Sequence, residues 1–352
     1  MSDNIFTYKN SEKGIIITGL ADKESVSEII IPDTIDGTPV TTIGEDAFYK
    51  CKNLKNVKLG KNVRYIENNS FAESGITHIN LEKNIKYIGN YAFEDCRKLN
   101  DVTWNCDLSI SEYCFAGCSA LHHFDFSHVT GIQLLAFEES GLKEAQLTNN
   151  VEYIENGVFR GSNLVKVQLG ENIRGIGDYA FSNCRWLKEV VWDCNNHVTR
   201  GCFYNNVSLT KFDFSNIPGI DEMAFSKSGL IEIQLDKKVE RIEKGAFSNC
   251  KKLSNVIWNC PQSIPQDCFK SCTSLKNIDL SKAAGIDKCA FSKSGLREIQ
   301  LDENLQRIGE GAFSECKRLK NAIWNSKKPV PRSCFENCTA LIDFDFHGLK
   351  TI

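Results

Sequence analysis

The stretch Phe247–Phe269, FSNCKKLSNVIWNCPQSIPQDCF, decides the reading of the chain, because its two bounding phenylalanines belong to a series. Phe71, Phe93, Phe115, Phe137, Phe159, Phe181, Phe203, Phe225, Phe247, Phe269, Phe291, Phe313 and Phe335 follow one another at steps of 22 residues, and Phe48 opens the series one residue early. A fixed period in this range marks a repeat architecture and outranks any local assignment of helix or strand. The period survives an internal exchange. A short first half, as in Phe225–Leu230 (FSKSGL), is followed by a long second half, whereas Phe93–Leu99 (FEDCRKL) is one residue longer and its second half shorter. A coil of constant circumference requires that compensation.

Each unit carries an apolar triplet spaced L-x-x-V-x-L, as in Leu54, Val57, Leu59; Leu164, Val167, Leu169; and Leu296, Ile299, Leu301. Its last two members alternate with polar residues, the period of a strand with one buried face. A second apolar pair follows, such as Val63 with Ile66 or Val239 with Ile242. The chain thus turns inward at the Phe, the Leu, the strand pair and the second pair. One such coil buries too few side chains to offset the ordering of its own backbone, so stability has to come from stacking on neighbours. The expected fold is a repeat solenoid of about fourteen coils.

The fuller pattern I-G-x-x-A-F-x-x-C-x-x-L-x-x-V-x-L stands at Ile43–Leu59 (IGEDAFYKCKNLKNVKL) and, with Trp last, at Ile88–Trp104, Ile176–Trp192 and Ile308–Trp324. It resembles the BspA-type leucine-rich repeat, found also in treponemal leucine-rich repeat proteins, from about residue 40 onward. The resemblance implies a right-handed leucine-rich-repeat superhelix with a parallel β-sheet on the concave face and short β, 3-10 or irregular segments elsewhere. It also implies a cell-surface or secreted protein that binds host matrix or cell-surface proteins. Two features depart from the family pattern: units with SGL lack the Cys, and Trp104, Trp192, Trp258 and Trp324 occupy the last strand position.

Residues 1–45 lie outside the repeat and read as an N-terminal β cap, with residues 46–352 as the solenoid. Phe6–Tyr8 and Gly14–Ile17 read as a hairpin, Val26–Ile31 as a strand ended by Pro32, and Asp36-Gly37 as a hairpin turn. From about Leu99 the coils follow a 66-residue order named by the strand: W-type (Val102-Thr103-Trp104), F-type (Phe124-Asp125-Phe126) and Q-type (Ala145-Gln146-Leu147). Ala224–Leu235 and Ala290–Leu301 differ at one position, as recent duplication would leave them. No C-terminal cap is recognisable before Ile352, so an exposed apolar end, or a longer parent protein, is expected. The start MSDNIFTYKN lacks the apolar core of a signal peptide, and no stretch has the roughly 18 apolar residues of a spanning helix. Export by another route, a leader removed, and an intracellular protein all fit.

With 25% charged residues and a net charge of −3, the chain has no basic run, so nucleic-acid binding lacks its electrostatic footprint. The sequence contains none of the common catalytic motifs: no H-E-x-x-H, no G-x-S-x-G and no phosphate-cradling glycine loop. No cofactor is expected. The six histidines, His78, His122, His123, His128, His197 and His347, share no repeat position; His122-His123 reads as an exposed strand pair before it reads as a metal site. Sequons at Asn68, Asn206 and Asn337 matter only if a eukaryote exports the chain.

Of sixteen cysteines, Cys51, Cys96, Cys118, Cys184, Cys250, Cys272, Cys316 and Cys338 stand three residues after a Phe, and Cys114, Cys202, Cys268 and Cys334 stand just before one. Cys106, Cys194 and Cys260 follow a Trp-Asn or Trp-Asp, and Cys289 stands alone. Disulfides, or a metal site built from sets such as Cys106, Cys114 and Cys118, are the functional readings. A small apolar slot in each coil is the simpler one, since Ser326 replaces the partner of Cys334 and SGL units delete the other position.

Strand residues between the two buried members point away from the core. They give the candidate concave binding face: Asp125, Gln146, Gln168, Val191, Asp213, Gln234, Ile257, Asp279, Gln300, Ile323 and Asp345. At about 4.8 Å per strand the ladder would run on the order of 60–65 Å. The recurrence of Val191, Ile257 and Ile323 on a polar, mildly acidic face favours a protein ligand over sugar or nucleic acid. The expected function is a non-catalytic protein-binding or adhesion module. The alternative is an intracellular scaffold or structural spacer.

Overall fold

In a computed structural model, which describes residues 5–147 and 150–346, the chain is a parallel β-solenoid with no helix among the described residues. It divides into two compact units, Met1–Cys184 with Trp192–Cys194, and Arg185–Val191 with Asn195–Ile352.

The first unit opens with an antiparallel hairpin, Phe6–Ser11 against Gly14–Leu20. A second hairpin joins Thr34–Ile35 to Thr38–Ile43 across Asp36-Gly37, both at positive φ (49° and 78°), the geometry an Asp-Gly turn prefers. Gly14–Leu20 pairs parallel with Thr38–Ile43, which leads into a corner ladder through Tyr65–Ile66 and Tyr87–Ile88. Glu28–Ile30 is already a rung of the main ladder, since it pairs parallel with Asn56–Lys58. His78–Leu81 and Asp101–Trp104 continue that sheet. Glu144–Leu147 pairs with Lys166–Leu169 beyond an interruption. In the second unit Glu232–Leu235 pairs with Asn255–Trp258, and Glu298–Leu301, Asn321–Trp324 and Asp343–Phe346 form a three-stranded sheet.

Each coil places its landmark Phe in an internal column. Adjacent rings from Phe48 to Phe181 stack at 5.1–5.6 Å in the first unit. Those from Phe203 to Phe335 stack at 5.3–5.8 Å in the second. Stacked aromatic pairs add about 0.5–1.5 kcal/mol each beyond the area they bury. The backbone around the Phe forms a further ladder. Phe71 N–H donates to Ala92 O (2.9 Å), Phe93 to Cys114 O (3.0 Å), and Phe225 to Ala246 O (2.9 Å). Residues two before and two after the Phe adopt left-handed backbone, as at Tyr91 (φ 59°) and Asp95 (51°), or Met223 (54°) and Lys227 (60°). That conformation costs a non-glycine residue on the order of 1 kcal/mol. The inter-coil hydrogen bonds it sets up, such as Tyr91 N–H to Glu112 O and Asp95 N–H to Ala116 O, repeat along each unit.

Candidate functional site

The alternation predicted for the strands holds, so the outward positions are solvent-facing. Gln146, Gln168, Gln234, Ile257, Gln300, Ile323, Asp125, Asp213, Asp279 and Asp345 are exposed, and Val191 is half-buried. Strand register places Gln146 opposite Gln168 in the first unit. In the second it places Gln234 opposite Ile257, and Gln300, Ile323 and Asp345 in one row.

The ladder is not continuous through the F-type coils. Phe124-Asp125-Phe126, Phe212-Asp213-Phe214 and Ile278-Asp279-Leu280 lie outside any strand. Among the described residues, no backbone hydrogen bond joins His123–Phe126 or Asn277–Leu280 to a neighbouring coil. The cause is local. Asp125 Oδ1 accepts the Ser127 N–H at 2.9 Å, Asp213 Oδ1 the Ser215 N–H at 2.9 Å, and Asp279 Oδ1 the Ser281 N–H at 2.8 Å. A D-x-S turn of this kind offers the backbone an alternative to ladder pairing. The last F-type rung lacks the serine: Asp345 is followed by Phe346 and His347, and Asp345 pairs with Ile323 in a strand. The Ser281 N–H also holds the Asp279 carboxyl below its usual range. Phe124 turns its ring toward the core column, 5.5 Å from Phe115 and 5.2 Å from Phe137.

Each of the first two interruptions opens a groove on the outward face. The first encloses about 480 Å³ between Asp101, Val102, His123, Phe124, Asp125, Phe126, Glu144 and Gln146. The second, about 690 Å³, runs across Lys188–Val190, Lys211–Ser215, Glu232–Gln234, Asp236, Asn255 and Ile257.

The cysteines form part of the core. All sixteen are free thiols, and all are buried except the half-buried Cys289. Thiols three residues after the Phe donate to a carbonyl of the preceding coil, as from Cys96 to Phe71 O (3.0 Å), Cys184 to Phe159 O (3.1 Å) and Cys250 to Phe225 O (3.1 Å). The SGL units do not delete this slot. A serine fills it and bonds the thiol of the next coil in two SGL units, Ser228 with Cys250 (3.3 Å) and Ser294 with Cys316 (3.2 Å), and in the equally short SGI and SNL units, Ser74 with Cys96 (3.4 Å) and Ser162 with Cys184 (3.4 Å). The Ser140 hydroxyl of the remaining SGL unit is buried with no hydrogen-bond partner among the described residues. Serine fits because the position takes a small side chain, buried in each of these units. Among the described residues no three His, Cys, Asp or Glu side chains are placed to hold a metal ion. His347 and Ile352 lie outside the described residues.

Burial pushes the Cys96 and Cys184 thiols up to about 12 and Cys250 up to about 11. Unfolded thiols lose their protons near 9, so folding holds protons that the unfolded chain would release. This contribution to stability is complete below pH 9 and is lost as pH rises from about 9 to about 12. Denaturant midpoints are therefore expected to hold steady from pH 7 to 8.5 and to fall above pH 9. A thiol reagent at pH 8 should find Cys289 alone in the native chain and all sixteen cysteines after unfolding. A low count after unfolding would reveal disulfides and contradict the packing described.

Two solved structures share the fold. A leucine-rich repeat protein from Bacteroides ovatus aligns over 98% of this chain and 94% of its own, with a TM-score of 0.62 at 20% identity. A leucine rich cell surface protein from Faecalibacterium prausnitzii aligns over 99% and 95%, with a TM-score of 0.52 at 21% identity. A search of curated proteins finds no match. Among the described residues no helix is long and apolar enough to cross a membrane. Leucine-rich repeats of this kind are in general non-catalytic protein-interaction modules. A profile of the BspA type leucine rich repeat region, six copies long, matches residues 20–142, 130–254, 196–320 and 262–352, and the chain belongs to that family.

Proposed function

We propose that the chain is a non-catalytic adhesion module that binds a host or cell-surface protein through the outward face of its strand ladder. The observation that carries this reading is the register row Gln300, Ile323 and Asp345, where one exposed apolar side chain lies between two polar ones on a rigid sheet. Such a mixed, pre-ordered surface suits a protein partner, because little side-chain freedom is lost on contact. The cell-surface description of the Faecalibacterium prausnitzii relative supports placement at the cell surface. Residues 1–45 serve in this reading as the N-terminal cap, with the hairpin Phe6–Leu20 covering the end of the corner ladder.

The free thiols favour a second reading, an intracellular scaffold or spacer in a reducing compartment. Labelling the surface of intact cells separates the two. For the binding face, immobilised wild type and a variant carrying Asp213→Lys and Asp279→Lys are compared for protein capture from matrix and cell-surface extracts. Loss of the captured protein by the variant is expected. Equal recovery would remove the outward face from consideration.

A further inference from the structure

The two grooves differ in what flanks them. Beside the 690 Å³ groove of the second unit, the residues just upstream on the same coils are apolar and exposed: Trp186 (60%), Val207 (43%) and Ile231 (44%). Beside the first groove the corresponding positions are Lys98, Ser119 and Lys143. The other four tryptophans, Trp104, Trp192, Trp258 and Trp324, are buried, so Trp186 breaks the rule the rest obey. Exposed large apolar side chains on neighbouring coils, beside a polar-lined groove, are a mark of interaction sites, and tryptophan is enriched where binding energy concentrates.

The groove adds charge selection. Its lining carries the apolar Val190, Phe212, Ile233 and Ile257, and Glu189, Asp213, Glu232 and Asp236 with Lys188 and Lys211. Four carboxylates against two ammonium groups leave a net charge of −2, so a cationic occupant is complementary. An arginine suits this lining best, because its planar fork pairs with carboxylates and its face stacks on aromatic rings. An acidic or purely apolar segment would desolvate the carboxylates without supplying a compensating charge. Four successive rungs lie within reach, on the order of 15 Å apart end to end, which about five residues of extended chain span.

We propose that this groove, with the strip of Trp186, Val207 and Ile231, is a docking site for an extended segment of another protein that presents arginine and large apolar side chains on one face. The proposal rests on the outward-face reading above and narrows it to one place and one partner chemistry. In an extended segment, residues i, i+2 and i+4 share a face. The probe is therefore the fluorescently labelled nonapeptide Arg-Ser-Leu-Ser-Arg-Ser-Leu-Ser-Arg, with Glu in place of Arg, or Ser in place of Leu, as the controls.

Saturable binding of the Arg/Leu peptide by anisotropy is expected, with a change in tryptophan emission from Trp186. Both control peptides should bind at least tenfold more weakly. Trp186→Ala and the double variant Asp213→Lys, Glu232→Lys should each weaken the Arg/Leu peptide at least tenfold, with unchanged far-ultraviolet circular dichroism. Absence of saturable binding, equal binding of the controls, or indifference to both variants would overturn the proposal. Protein capture with Ile323→Lys separates this failure from that of the broader reading. Capture lost in Ile323→Lys but kept in Trp186→Ala overturns the groove and leaves the outward face standing; capture kept in both overturns the two together.

Discussion

Phe247→Ala is expected to destabilise the chain by about 3–5 kcal/mol, the range for removing a fully buried aromatic ring from a core that cannot close over the gap. The ring is fully buried, with Phe225 at 5.6 Å on one side, Phe269 at 5.8 Å on the other, and Phe214 at 6.0 Å against its edge. Neighbouring rings cannot slide inward, because each is held by its own coil through the N–H bond to the next coil, as Phe247 is to Cys268 O and Phe225 to Ala246 O. The loss therefore combines transfer, cavity and two stacking contacts. Phe335→Ala should cost clearly less, since that ring is half-buried. Guanidinium unfolding followed by circular dichroism measures both. Equal small losses at the two positions would mean that the column is not the core of the stack.

Gly229→Ala should cost about 1–3 kcal/mol, or more, through overpacking. The glycine belongs to the short first half FSKSGL, which saves a residue by passing tightly over the preceding coil. Its N–H donates to Asn206 O at 3.0 Å, and an added Cβ would stand 2.8 Å from the Val207 carbonyl carbon and closer still to its oxygen. The same approach recurs at Gly75 over Lys52, Gly141 over Ser119 and Gly295 over Thr273. These are backbone atoms of hydrogen-bonded coils, so neither side can yield without breaking the stack. Gly175→Ala is the control. There the Cβ would meet only the Tyr153 ring at 3.4 Å, an ordinary contact, and stability should stay within about 0.5 kcal/mol. Equal stability of the two variants, in the same denaturant titration, would show that the short halves do not depend on close approach.

The period, the aromatic landmark and the alternation of the strands are legible in the sequence because each rests on bulk and spacing that recur at every coil. The left-handed positions are only half legible: Asn69, Asp95, Gly157 and Asn249 are of types that favour positive φ, but Tyr91, Leu135, Met223 and Lys227 occupy others, and none of these does. The conformation is imposed by hydrogen bonds to the next coil, which no single coil displays. The strand at Glu28–Ile30 is legible, but its place in the main ladder is hidden for a similar reason: its unit has no landmark Phe, and only its pairing with Asn56–Lys58 makes it a rung. The serine of SGI or SGL looks like a deletion until the slot is seen from the side of Cys96 or Cys250, whose thiols it meets.

For the candidate face, alternation correctly separates the outward from the inward residues. It does not show that Asp125, Asp213 and Asp279 turn back on the serine two residues later and interrupt the ladder. The D-x-S spelling of an Asx turn is present at each, but inside a hydrophobic alternation it reads as strand until the two compete. The docking groove is a product of that competition.

Amide hydrogen exchange resolved along the chain tests most directly whether adjacent coils are held together as described. The amides of Phe71, Phe93, Phe137, Phe225 and Phe291, each bonded to the next coil, should exchange slowly and mark a 22-residue rhythm. Those of His123–Phe126 and Asn277–Leu280 should exchange far faster than the strands Asp101–Trp104 and Glu298–Leu301. Phe amides exchanging at the rate of an unfolded chain, or protection at 123–126 equal to that of its strand neighbours, would contradict the account.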